Sequence, residues 1–166
     1  MTIDKNQRVL GQPELVQGSR VAIVVSSYHR DITGKLHDGA VETLGGVGIA
    51  VNDIFTAWVP GSWEIPLAAQ RLLETDNWDA VVCLGCVIRG ETTHDQHINT
   101  TISNALGMLS LDYSKPVAFG VLTCNTLEQA QARCGGAVGN KGVEAAEAVL
   151  HMLSLFEQID SEDSNE

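Results

Sequence analysis

The stretch Ala80 to His97, AVVCLGCVIRGETTHDQH, decides how this chain folds. Its first nine residues, Ala80 to Ile88, carry no charge, which suits a strand covered on both faces in a parallel sheet between helix layers. The apolar run then stops on Arg89, Gly90, Glu91, Thr92, Thr93 and His94, which read as a turn opening into a helix. That turn offers a cation, a flexible joint, hydroxyls able to cap a helix and a proton carrier. Amides at a helix start lack intrahelical partners and are backed by the helix dipole, so they favour an anion. A ligand site is therefore expected at the carboxyl end of this strand.

Upstream, Val21 to Ser26 (VAIVVS) reads as another buried strand. Ile32 to Leu44 reads as a helix, with Ile32, Leu36, Ala40 and Leu44 spaced by four and Gly45-Gly46 ending it. Ile54 to Val59 is a strand closed by Pro60 and Gly61, and Trp63 to Glu74 a helix carrying Pro66 in its first turn. Downstream come a helix over His94 to Leu111 and a strand over Pro116 to Leu122. Thr126 and Gln129 supply a capping box for a short helix to Arg133, and Lys141 to Phe156 is helical again. Strands alternating with helices through short joints imply right-handed crossovers and an α/β fold, a three-layer α/β/α sandwich on a parallel sheet. Ligands of such sheets collect beyond the strands' carboxyl ends. Here those ends carry Ser27-Tyr28-His29, Gly61 to Glu64, Arg89 to His94 and Thr123-Cys124-Asn125.

With 166 residues and 44% hydrophobic content, the chain suits one domain. That domain is expected over residues 21–157, after a loose arm over 1–20 and before a solvated acidic tail over 158–166; Glu157 to Glu166 holds five acids and no base. A net charge of -11, with ten dispersed Lys and Arg, argues against nucleic acid as a partner. The first residues lack a secretory apolar core and no run is long enough for a bilayer, so a cytoplasmic protein without membrane contact is expected. Cys83 and Cys86 look like a CxxC pair, but the strand period sends them to opposite faces, which makes them buried apolar residues rather than chelators. In the last helix, Glu144, Glu147, His151, Ser154 and Gln158 form one narrow polar stripe. The apolar arc left over is wider than a single core needs, so part of it is expected to pack on another subunit.

Four words in this order and spacing, WVPGSWEIPLAA (Trp58 to Ala69), LGCVIRGETTH (Leu84 to His94, within the opening stretch), KPVAFGVLT (Lys115 to Thr123) and GNKGVEAA (Gly139 to Ala146), give the chain its kinship. From about Val21 to Phe156 it resembles the lumazine synthase family. The resemblance implies a flavodoxin-like fold with a four-stranded parallel sheet. It also implies pentamers, often twelve in a hollow icosahedral shell that can enclose riboflavin synthase, with active sites between neighbouring subunits. The implied reaction condenses 5-amino-6-(D-ribitylamino)uracil with 3,4-dihydroxy-2-butanone 4-phosphate, with neither metal nor organic cofactor.

By position, the resemblance makes His94 the proton-transfer residue, a role suited to imidazole near neutrality. On the residues alone, His94 could equally be a histidine near a helix start that merely faces solvent. Glu144 matches a carboxylate able to orient or recharge that histidine. Arg133 matches the guanidinium that grips the butanone phosphate, with Glu91, Thr92 and Lys141 contributing to the same pocket. Tyr28 matches the aromatic that stacks on the pyrimidine, and Phe119 a wall donated by the adjacent subunit. Backbone groups of Cys86, Val87 and Ile88 match the segment that reads the ring. Ser62, Trp63 and Glu64 match the stretch holding the pyrimidine and ribityl chain, Glu64 as acceptor for sugar hydroxyls. Trp58 and Trp78 match no site position and read as core.

The chain departs from the family pattern in places. Tyr28 stands for a commoner Phe, His29 for Asn, and Glu91 for a small residue, while Asp95-Gln96-His97 replaces an aromatic and acidic continuation. A carboxylate at position 91, if turned inward, would repel phosphate. These changes keep open a second reading, a shell-forming or flavin-binding relative with little or no turnover.

Overall fold

The computed structural model describes Val16 and residues 18–163, with side chains through Ser161. The arm expected over residues 1–20 and the end of the acidic tail lie largely outside the described residues. In chain order the elements are β1 (Val21–Ser26), α1 (Arg30–Gly46), β2 (Ile54–Val59), α2 (Ile65–Leu73), β3 (Ala80–Ile88) and α3 (His94–Tyr113). There follow β4 (Val117–Cys124), α4 (Leu127–Ala132), β5 (Cys134–Gly136), β6 (Gly139–Asn140) and α5 (Lys141–Asp163). The four long strands form one parallel sheet in the order β2-β1-β3-β4.

The two faces of the sheet bury separate apolar layers. Val21, Ile23 and Val25 of β1 pack with α1 and α5, while Ala22 and Val24 pack with α2 and α3. The strand period divides Cys83 and Cys86 in the same way, one into each layer. The result is the three-layer flavodoxin-like sandwich expected, with every side chain of β1 buried.

Element ends differ where local chemistry overrides periodicity. Instead of one helix from Trp63, a 3₁₀ turn at Ser62–Glu64 precedes α2. The Glu64 carboxylate accepts the Gly61 amide at 2.9 Å and holds that turn. β4 runs past Leu122, because Thr123 and Cys124 still pair with Val87 and Ile88. The last helix does not stop at Phe156 but continues to Asp163. Ser154, assigned to the solvent stripe, is fully buried; the stripe is therefore interrupted, and α5 packs Ala145, Ala146, Val149, Leu150 and Leu153 on its own core. What remains exposed on α5 includes Met152 and Ile159. The β5–β6 hairpin was not anticipated, being too short to show a period, although Gly135 and Gly139 at φ 107° and 94° are residues such a turn requires.

The GNKG word has a structural meaning. Asn140 Oδ1 accepts the Gly142 amide at 2.8 Å and so caps α5, while its Nδ2 donates to the Lys35 carbonyl of α1 at 3.0 Å. Gly142 lies directly on the α1 backbone, where an added Cβ would come within 1.9 Å of the Leu36 carbonyl oxygen. Gly142→Ala is therefore expected to destabilise the fold by at least about 2 kcal/mol, since backbone cannot retreat as a side-chain tip can. Gly34→Ala, in open space on α1, should instead be neutral or stabilising by up to about 1 kcal/mol. Denaturant midpoints of the two variants check both values.

Candidate functional site

Beyond the carboxyl ends of β1 and β3 lies a hollow of about 380 Å³, within the size range of small-molecule sites. Tyr28 and His29 form one wall, Ser62 and Trp63 another, and Cys86, Val87 and Ile88 the floor. The turn after β3 and the first turn of α3 supply Gly90, Thr92, His94, Asp95 and Ile98. Thus six of the eight residues expected to hold the pyrimidine and ribityl chain, all but Glu64 and Phe119, come together with the expected proton carrier.

The backbone explains how they are aimed. His29 precedes α1 in the left-handed region, at φ 57°, and its carbonyl accepts the amides of Ile32 and Thr33, each at 2.9 Å. That conformation is uncommon for a side-chain-bearing residue. It sets the imidazole edge-on to Tyr28, with ring centroids 4.7 Å apart. Tyr28 is 67% exposed and Trp63 56%, a large aromatic area left uncovered over a concave surface. The Arg89 amide extends the β3–β4 ladder to the Cys124 carbonyl at 2.8 Å, so the chain leaves the sheet only at Gly90. Thr92 Oγ1 then accepts the His94 amide at 3.4 Å, at the start of α3.

Other expected residues lie elsewhere. Phe119, Arg133, Lys141 and Glu144 line a second hollow, of about 570 Å³, which follows β4 along the open edge of the sheet. Arg133 and Lys141 are tied there through the backbone, the Lys141 amide donating to the Arg133 carbonyl at 2.9 Å. Arg133 also caps α4, donating to the Gln129 carbonyl at 3.0 Å, and Lys141 is ion-paired with Glu144. Within one chain, then, Glu144 sits with the cations and not in the hollow of His94. Glu64 lines neither hollow: its carboxylate is engaged by the Gly61 amide, and its service is to the turn that presents Ser62 and Trp63. Glu91 is exposed and outside the first hollow.

Gly61, Gly90 and His29 line the first hollow as the strand-end rim predicts, although no role was expected of them; Ile98 carries no chemical signal of its own, and Asp95 stands out in the sequence only as a departure from the family pattern. Among the described residues no three His, Cys, Asp or Glu side chains converge as metal ligands, and no helix is long and apolar enough to cross a membrane. Burial pushes the Cys86 thiol up to about 12, helped by the neighbouring Cys124 and Cys134 and by Asp31. Burial also raises Cys83, and raises Cys124 against the opposing pull of Arg133.

A parallel α/β sheet with an aromatic, imidazole-bearing hollow over its strand ends and a cationic hollow beyond its open edge defines a flavodoxin-like enzyme acting on small molecules. The family model of 6,7-dimethyl-8-ribityllumazine synthase matches residues 18–157, and the chain belongs to that family. A 6,7-dimethyl-8-ribityllumazine synthase of Coxiella burnetii is 46% identical over 144 residues, covering 87% of this chain and 95% of the relative. One from Gemmatimonas aurantiaca is 44% identical over 142 residues, covering 86% and 87%.

The thiolate is the reactive form of cysteine, and burial suppresses it here. With the Cys86 thiol raised to about 12, a neutral aromatic disulfide reagent should label Cys86 in the native protein at least about a hundredfold more slowly than in the unfolded chain. Rapid native labelling of Cys86 itself, read by peptide mass, would contradict this account of that thiol.

Proposed function

We propose that this chain is a transferase of riboflavin biosynthesis. It condenses 5-amino-6-(D-ribitylamino)uracil with 3,4-dihydroxy-2-butanone 4-phosphate to 6,7-dimethyl-8-ribityllumazine, releasing phosphate and water. The observation that carries the reading is the division of the family-matched residues into two half-sites at separate margins of one chain. One half offers stacking aromatics, a backbone edge and His94; the other offers Phe119 and the Arg133–Lys141 pair. Each is completed when the open edge of β4 in one subunit meets the strand ends of the next.

In the assembled site Tyr28, Trp63 and the neighbour's Phe119 hold the pyrimidine, and backbone groups of Cys86 to Ile88 bind its polar edge. The neighbour's Arg133 takes the phosphate as a two-pronged donor, with Lys141 adding positive potential and the Thr92 turn its amides and hydroxyl. His94 exchanges protons during imine formation, phosphate elimination and ring closure, all of which need a group that titrates near neutrality. Glu144 reaches an imidazole only across the subunit contact, where it can orient that ring. The groove lined by Leu111, Val117, Met152 and Phe156, with Leu111 76% exposed, supports burial of this margin by another copy. By family resemblance the assembly is a pentamer, and twelve pentamers form a cytoplasmic shell with room for riboflavin synthase. Retention of His94, Arg133, Lys141 and Phe119, together with the outward position of Glu91, favours a working enzyme over an inert shell.

Purified protein mixed with both substrates should produce lumazine absorbance far above the rate in buffer, and a rate equal to buffer ends the reading. His94→Ala should lower turnover by about a hundredfold or more, and Arg133→Ala should act mainly on KM for the phosphate substrate. Co-assembly of these two variants in equal amounts tests the shared site. Random mixing leaves about one contact in four with both halves intact, so at phosphate-substrate concentrations far below the KM of Arg133→Ala about a quarter of wild-type activity should return. No recovery in mixed particles, shown to be mixed by mass, would place both groups in one subunit's site.

A further inference from the structure

The ring of Tyr28 is 67% exposed, and among the described residues its one aromatic partner is the imidazole of His29, with centroids 4.7 Å apart and planes at 74°. A side chain this open changes rotamer freely unless what lies beside it is fixed. His29 is fixed. Its main chain sits in the left-handed region at φ 57°. Its carbonyl accepts the Ile32 and Thr33 amides at 2.9 Å each and the Thr33 hydroxyl at 3.4 Å. Thr33 is fully buried, so His29 is anchored from the interior while its side chain lines the first hollow. Ser26 Oγ donates to the Tyr28 carbonyl at 3.5 Å, which ties the main chain between the two rings to the end of β1.

The angle between the rings matters. An edge-to-face pair joins the positive edge of one ring to the negative face of the other. Unlike a parallel stack, it occupies at most one face of Tyr28 and leaves a face free for a flat ligand. A ring already standing at the right angle loses less freedom when a ligand stacks on it, and the freedom saved appears as affinity. Two departures from the family pattern, Tyr28 for Phe and His29 for Asn, are here adjacent and in contact. Asparagine and histidine both tolerate a left-handed backbone, but only histidine brings a ring to it.

We propose that His29 is a positioning residue for the pyrimidine substrate, setting the angle of the Tyr28 ring and acting on affinity through that ring rather than by direct contact. This rests on the synthase reading above, in which Tyr28 stacks on the pyrimidine. The effect is confined to one substrate. Arg133 and Lys141, which serve the phosphate ester, line the other hollow and share no wall with the Tyr28–His29 pair.

The test is a double-mutant cycle on the assembled protein. Kd for the pyrimidine substrate is measured by titration for wild type, His29→Asn, His29→Gly, Tyr28→Leu and both double variants. Asn and Gly each accept the left-handed backbone, so together they isolate loss of the ring. Tyr28→Leu keeps an apolar wall and binding that can be measured. With Tyr28 present, each His29 substitution should weaken the pyrimidine about three- to tenfold, the span of an aromatic pair, and leave KM for the phosphate substrate within about twofold. With Tyr28→Leu the same substitutions should change Kd by less than about twofold, since no ring remains to be set. Equal losses in both backgrounds would overturn the proposal, making His29 a direct contact or a prop of the main chain. So would an unchanged Kd with Tyr28 present, or loss of particle mass in both His29 variants. A wild type that makes lumazine but shows no coupling ends this inference and leaves the synthase reading standing; one that binds no pyrimidine ends both.

Discussion

The arrangement depends on β4 ending the sheet. Because the strand order is β2-β1-β3-β4, β4 pairs only with β3 among the described residues, and an edge strand presents amides and carbonyls able to pair with another chain. Along that edge lie Phe119, Arg133, Lys141 and Glu144, none of which lines the hollow over the strand ends. Were another strand of the same chain to cover β4, the cations would be sealed from any partner. An open edge is ordinarily a hazard, and on the function proposed above it is the face through which one subunit supplies chemistry to the next.

Placement of those cations rests on a short-range constraint. α5 can approach α1 only because Gly142 has no side chain, and Asn140 ties the start of α5 to the Lys35 carbonyl. That docking fixes where Lys141 begins its helix. The β5–β6 hairpin then returns the chain so that the Lys141 amide meets the Arg133 carbonyl. Two cations eight positions apart in sequence are thereby held on one wall, and the side chains gain direction from backbone geometry rather than from long-range charge.

Most of the sheet was legible because its strands are long and buried: β1 and β3 show uncharged runs that admit few alternatives. The division of Cys83 from Cys86 followed from the period alone. β5 and β6 were illegible, since segments of three and two residues carry no period. The end of α5 departs from the acidic tail expected there, because acidity at the surface does not stop a helix: Glu157 and Asp160 are exposed on a helix that continues to Asp163. Ser154 shows the reverse error, a polar side chain at polar spacing that is nevertheless buried. For the site, motif words located His94, Tyr28 and Arg133, but sequence cannot say which residues share a hollow. That Glu64 turns back to Gly61, that Glu91 is exposed outside the first hollow and that Asp95 is among its lining residues are consequences of two tight turns, and no composition or spacing encodes them.

Charge separates the two halves of the site as geometry does. With 21 acidic and ten basic residues the chain's distant field repels a phosphate ester. Screening confines that repulsion to about 8–10 Å at ordinary ionic strength, so only groups in near contact decide where an anion rests. The first hollow is lined by His94 and Asp95 and by no lysine or arginine. The second holds Arg133 beside a lysine whose charge is shared with Glu144, leaving the guanidinium as the cation free to engage an anion. On the function proposed above, the ring rests on one side of a subunit contact and the phosphate ester draws its guanidinium from the other, so the bonds between them form where the two sides meet.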